Sequence, residues 1–198
     1  MKKFTLVLLS ILFSFIILIG CEKVQSKNTK LIYEPLSEKE EYLTNLTGNK
    51  IIMYKLKNLP KDKEYTISLT YEVYKNGEKI KDEDITMMMK DDSSEEITEK
   101  TIGINFQEDN IRYILANDRS YTSGEREIEE NLMGSSKTFL SEDIELSIGS
   151  EVYIFYSTSG NEISPSRVLG IPIDSINIQD IIKNNESNSF IKLSFKAI

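Results

Sequence analysis

From residue 49 onward, apolar and polar positions alternate one by one, the period of a strand with one buried face. The cleanest case is Tyr65, Ile67, Leu69, Tyr71 and Val73 against Thr66, Ser68, Thr70 and Glu72. The first set is expected on a core and the second in water. Ahead of it, Ile52, Tyr54 and Leu56 alternate with Met53, Lys55 and Lys57, and Asn58 to Asp62 forms the turn, where Pro60 bars a continuous ladder. After it comes Lys75-Asn76-Gly77-Glu78. Asn-Gly adopts the positive φ values of a type I′ hairpin, so Lys79 to Lys90 returns antiparallel, with Asp82-Glu83-Asp84 as an irregular bulge or loop.

Thr101 to Gln107 alternates through Ile102, Ile104 and Phe106, and Ile111, Tyr113 and Leu115 alternate again after a turn at Glu108-Asp109-Asn110. Ser150 to Ser157 has Val152, Ile154 and Tyr156 on one side and Tyr153 and Phe155 on the other, which suits a central strand. Ser189 to Ala197 presents Ile191, Leu193 and Phe195 on one face. Glu125 to Met133 suits a short helix or an edge strand. Asn177 to Lys183 spaces Ile178, Ile181 and Ile182 as one face of a short helix. The expected fold is all-β: an antiparallel β-sandwich, immunoglobulin-like, over residues 49–198, with one or two short helices.

The start of the chain follows a different pattern. Lys2 and Lys3 precede an almost wholly apolar run from Phe4 to Gly20, the layout of a secretory signal. Leu18-Ile19-Gly20-Cys21 closes it and resembles a bacterial lipobox. There a small residue, Gly20, precedes the cleavage point, and the thiol of Cys21 receives a diacylglycerol. Cys21 is the only cysteine. Residues 1–20 are thus expected to be a cleaved signal peptide, and residues 21–48 a polar, flexible tether. Within the tether, Ser37-Glu38-Lys39-Glu40 is a candidate capping box for a short helix ended by Gly48, on which Leu43 and Leu46 share a face.

The lipobox, the Lys/Asn/Ile-rich composition and the strand–Asn-Gly–strand pattern together resemble uncharacterised surface lipoproteins of low-GC Gram-positive bacteria. The resemblance implies an extracellular domain held to the cell membrane by an N-terminal lipid, palmitate among its acyl chains. It implies no activity.

Composition narrows the chemistry. The 198 residues include 32 acids, 24 bases and no His or Trp, for a net charge of −8. Without His there is no His-centred triad or His-ligated metal. One Cys makes neither an internal disulfide nor a Cys-rich zinc site. The acidic balance argues against nucleic acid as a partner. No nucleophile elbow or phosphate-binding loop occurs. Ser189-Phe190-Ile191-Lys192 has the S-x-x-K spacing, but in a strand those two side chains point to opposite faces.

The hard-oxygen candidates are more numerous. Asp82 and Asp84, with Asp109 and Asp118 in or near other loops, are candidate ligands for Ca2+, although no EF-hand spacing is present. Asp91, Asp92, Glu95 and Glu96 form a further acidic run, which is more simply a solvated loop. Tyr65, Tyr71, Tyr113 and Tyr156 fall on expected core faces. Tyr74, Tyr121 and Tyr153 are less committed, and exposed together they would suit a glycan or peptide. Met87-Met88-Met89 offers thioethers suited to Cu(I), but strand geometry splits them between faces.

These observations favour a non-catalytic binding or structural role in the cell envelope, with an envelope protein or glycan as partner. The alternatives are a substrate-capture or immunity lipoprotein and a carboxylate-dependent hydrolase of an envelope polymer, which needs two convergent acids, one with a raised pKa.

Overall fold

Every alternating segment read from the sequence is a strand in the computed structural model, which describes residues 28–90, 98–107, 110–117, 121–127, 136–159, 167–183 and 185–198. The first sheet contains β1 (Thr29–Tyr33), β2 (Lys50–Lys57), β5 (Glu99–Phe106), β6 (Asn110–Ala116), β7 (Tyr121–Glu127) and β9 (Ile144–Leu146), in the order β7-β6-β5-β2-β1-β9. The second contains β3 (Tyr65–Lys75), β4 (Glu78–Lys90), β8 (Ser136–Phe139), β10 (Ser150–Thr158) and β11 (Ser187–Ala197), in the order β4-β3-β11-β10-β8. All these pairings are antiparallel. Two helices, α1 (Glu38–Leu46) and α2 (Ile178–Ile182), complete an all-β sandwich.

The two sheets meet on the residues that the alternation picks out. Ile52, Tyr54, Leu56, Ile102, Ile104 and Phe106 of the first sheet, and Tyr65, Ile67, Leu69, Tyr71 and Leu193 of the second, are all buried. Burying each such large side chain contributes about 1.5–3 kcal/mol. Phe106 stacks on Phe155 across the interface, ring centroids 4.3 Å apart. The Tyr54 hydroxyl, deep between the sheets, donates to the carbonyls of Leu140 and Ile154 at 2.9 and 3.2 Å, so its burial leaves no unsatisfied donor. The hairpin turn is as expected: Asn76 and Gly77 have φ of 52° and 84°, the signs a type I′ turn requires.

Three expectations are corrected. Residues 21–48 are not tether throughout. Thr29–Tyr33 is β1, paired with both β2 and β9, with Leu31 fully buried. The sandwich therefore begins by residue 29 rather than 49. The signal was only three apolar residues, Leu31-Ile32-Tyr33, in a polar stretch. Asp82-Glu83-Asp84 is no loop but regular β4 backbone, and the ladder shifts register on either side of it instead. Glu72, read as water-facing, is only 2% exposed. The second sheet is covered on its outward side as well as its inward one.

That outward layer comes from the chain between β10 and β11. Where β8 stops pairing with β10, Leu169 and Pro172 bridge to Tyr153 and Val152. α2 then buries Ile181 and Ile182, and Asn185 beyond it donates to the Tyr156 hydroxyl at 3.4 Å. Glu125, in the segment read as helix or edge strand, lies in β7, the edge of the first sheet; residues 128–133 of that segment lie outside the described residues.

Candidate functional site

The position of Glu72 follows from register. On β3 it stands opposite Phe190 of β11 and Asp82 of β4. The β10 ladder slips by one residue at Ile154, so Tyr153 pairs with Lys192 while Phe155 pairs with Ile191. Adjacent residues of β11 face opposite ways. The slip therefore turns Tyr153 outward towards Glu72 and leaves Phe155 in the main core. Around Phe190 gather Tyr74, Tyr153 and Tyr156, with ring centroids 5.6, 4.6 and 5.0 Å away. Tyr156 is buried as expected, but in this outer cluster, because the slip reverses the alternation read for β10.

Within the cluster Glu72 is fully engaged. Its Oε2 accepts from the hydroxyls of Tyr153 at 2.9 Å and Tyr74 at 3.1 Å. Its Oε1 lies 2.7 Å from Lys192 Nζ and 3.2 Å from Lys79 Nζ. Burial pushes the carboxyl pKa up, but the Lys192 and Tyr153 hydrogen bonds and the Lys192 and Lys79 charges outweigh it and hold it below the usual value. Burial, then the Glu72 charge, raises the Tyr153 and Tyr74 hydroxyls. A general acid needs a raised carboxyl pKa and access to substrate. Glu72 has neither, and its arrangement is that of a satisfied structural ion cluster.

The residues singled out for chemistry are dispersed. Asp82 Oδ2 accepts from Lys79 Nζ at 3.0 Å, and Asp84 Oδ1 from the Thr70 hydroxyl at 2.8 Å. Both answer local donors, and among the described residues no three acidic or cysteine side chains converge as metal ligands. Asp109 and Asp118 lie outside the described residues, as do Gly20, Cys21 and the acidic run Asp91, Asp92, Glu95, Glu96. No exposed tyrosine trio forms, since Tyr74 and Tyr153 are buried around Glu72 and only Tyr121 is exposed. Met87 and Met89 point outward, whereas the Met88 thioether contacts Lys100 Nζ on the other side of the strand. Among the described residues no helix is long and apolar enough to cross a membrane.

The solvent face of the first sheet carries the other feature. Cross-strand register sets two rows side by side: Ile51, Asn105, Arg112 and Glu125, then Met53, Gly103, Ile114 and Ser123. The second row is mainly apolar on a face turned to water. Ile114 is 45% exposed. Gly103, lacking a side chain, opens a floor over which Met53 lies, its sulfur 3.0 Å from where a Cβ would be. The resulting recess has a volume of about 540 Å³. A second, of about 550 Å³, runs between the same Ile51 and Met53 and α1, lined by Leu36, Leu43 and Thr44.

Local sequence positions the helical wall. The Ser37 hydroxyl accepts from Glu40 N at 3.4 Å, and Glu40 Oε2 accepts from Ser37 N at 2.9 Å, the reciprocal capping box expected from the sequence. Gly48, at φ 72°, ends the helix. The face shared by Leu43 and Leu46 is turned to solvent, and Thr44 is the buried residue of the helix. The recesses are a feature that sequence reading missed. Its trace was present, in apolar Ile51, Met53 and Ile114 at positions where the alternation calls for polar residues.

Comparison with known proteins adds no relative: no family model matches the chain, and no curated protein and no solved structure matches it.

Proposed function

We propose that this chain is a lipid-anchored envelope protein with a non-catalytic binding role, and that its binding surface is the solvent face of the first sheet. The observation that carries the binding role is the pair of adjoining recesses sharing Ile51 and Met53. Contiguous apolar surface rimmed by polar groups is characteristic of binding sites. The chemistry of Glu72 gives no support to the hydrolase alternative, because its depressed pKa is the opposite of what an acid catalyst needs.

The anchor rests on Cys21 behind Leu18-Ile19-Gly20. The lipid sits on Cys21 at the cell membrane, and the sandwich stands on the extracellular side. Cells given labelled palmitate should label the wild-type protein and not Cys21→Ser, and the variant should leave the membrane fraction. Equal labelling would remove the anchor from this account.

The binding face is tested separately with Nile red, an uncharged apolar dye. Residues 21–198 carrying Cys21→Ser contain every described element, and their folding is checked by the melting transition. This chain should bind the dye, and Gly103→Val should not, because the new side chain fills the floor. Dye binding that is absent, or unchanged by Gly103→Val, would refute the assignment of the face.

A further inference from the structure

We infer that Met87 and Met89 form a peroxide-reactive site on the edge of the second sheet: their two thioethers take up oxygen from hydrogen peroxide or an organic hydroperoxide, while Met88 between them is spared. The site is independent of the anchor and of the binding face proposed above. Three consecutive residues of a strand alternate in direction, and β4, the edge strand of its sheet, separates the methionines accordingly. Met87 and Met89 are 56% and 57% exposed, so packing does not account for them. Met88 turns the other way. It stands opposite the buried Ile67 and packs against the core, and its sulfur accepts a hydrogen bond from Lys100 Nζ of β5, in the facing sheet.

The chemistry follows from what each sulfur meets. A thioether is soft and polarizable. Its lone pair attacks one peroxide oxygen, the O–O bond breaks as the S–O bond forms, and sulfur gives up two electrons. The displaced hydroxide takes the proton from the transferred oxygen and leaves as water (as an alcohol, from an organic hydroperoxide). The product is methionine sulfoxide, polar where the thioether was apolar, a change that disrupts a core. On this face it is accommodated. Met87 stands opposite Ser68 and Met89 opposite Thr66 on β3. Directly opposed residues have Cβ atoms about 5 Å apart, so each new oxygen, an acceptor, lies within reach of a hydroxyl donor and of water. A peroxide attacking Met88 has instead to enter beside Ile67 and displace the Lys100 hydrogen bond.

The test treats the full-length protein with limiting hydrogen peroxide and follows each sulfur by tandem mass spectrometry. Cleavage after Lys81 and Lys90 releases Asp82–Lys90, which holds all three methionines. In the folded chain Met87 and Met89 should gain oxygen about tenfold faster than Met88, the factor that one displaced hydrogen bond supplies. In urea the three rates should converge, because only the fold separates them. Protein carrying both sulfoxides should keep its melting transition. In the folded double variant Met87→Leu, Met89→Leu, Met88 should remain slow, since burial and Lys100 protect it and not neighbours that consume the peroxide first. Equal rates in the folded chain, or rates that stay apart in urea, overturn the inference. So does a Met88 that becomes fast in the double variant, or a melting transition lost when Met87 and Met89 alone are oxidised.

Discussion

Tyr153 donates to Glu72 across the outward side of the second sheet, Oη to Oε2 at 2.9 Å, and it reaches that carboxylate only because β10 slips by one residue at Ile154. In an unbroken ladder Tyr153 and Phe155 would share a face. The slip supplies one aromatic ring to each side of the sheet. Glu72→Gln keeps the shape and removes the charge, leaving Lys192, which is mostly buried, without its anion. We expect a loss of about 3 kcal/mol in urea unfolding. The double variant Glu72→Leu, Lys192→Met should recover part of it, because it leaves no uncompensated charge behind. A loss below about 0.5 kcal/mol for Glu72→Gln would mean that the ion cluster makes no net contribution.

The same cluster predicts the pH profile. Glu72 titrates lower in the folded chain than its ordinary 4.5. Its contribution is therefore complete above about pH 4.5 and is lost as pH falls through the folded-state value, where the folded protein takes up the proton. At the alkaline end, burial and the Glu72 charge raise Tyr153 and Tyr74 above 10.0. Their contribution is intact below about pH 10 and is lost as pH rises through their folded-state values, since the unfolded chain deprotonates first. Unfolding midpoints across pH should show both limbs. Glu72→Gln should flatten the acidic one. An acid limb of unchanged slope in that variant would assign acid sensitivity to other carboxylates.

The sandwich was legible because its main core obeys one rule. Tyr65 to Val73 and Ile52 to Leu56 alternate without interruption, and all their apolar members that face the other sheet are buried. Asn76-Gly77 fixed one turn outright. What escaped sequence reading involves a second layer or a break in period. Glu72 looked like any polar residue on a water face, since nothing local announces that residues 167–183 fold back beside that face. The slip at Ile154 adds a residue to the ladder without changing the apolar run. β1 was hidden because five residues, Thr29 to Tyr33, carry too little alternation to stand out from the polar stretch around them. The recess over Gly103 depends on four strands being neighbours, β2, β5, β6 and β7, and strand order is not written in any one segment.

Gly124 offers a test of packing in the first sheet. It lies opposite Tyr113. A Cβ there would meet the Tyr113 ring, with Cζ at 2.6 Å and Cε1 at 3.1 Å, and would also strike its hydroxyl. The ring is mostly buried, so making room for the added methyl group disturbs its packing. Gly124→Ala should cost about 1–3 kcal/mol through overpacking, although alanine is otherwise the better residue in an ordered backbone. Combining it with Tyr113→Leu, which removes the obstructing ring, should make the alanine nearly free of cost relative to Tyr113→Leu alone. Strict additivity of the two substitutions in urea unfolding would show that the ring moves aside.

The hairpin between β3 and β4 sets where Lys79 falls. Two loop residues, Asn76 and Gly77, put Lys79 opposite Tyr74 and within 3.2 Å of Glu72. Gly77 sits at φ 84°, with no atom within 4 Å of a would-be Cβ, so a substitution there is opposed by backbone strain and not by crowding. Gly77→Ala should cost about 1–2 kcal/mol. Asn76 at φ 52° is a residue type that accepts that conformation, and its N–H is tied to the Glu186 carbonyl at 2.8 Å. Asn76→Gly should therefore change stability by only a few tenths of a kcal/mol, about the difference between two residues tolerant of positive φ. Asn76→Val, β-branched and unsuited to that conformation, should be destabilising. A destabilised hairpin also loosens Lys79 from Glu72, so Gly77→Ala and Glu72→Gln should be less than additive in a double-mutant cycle. Full additivity would mean that the turn holds its register in the variant and that the ion cluster does not sense it.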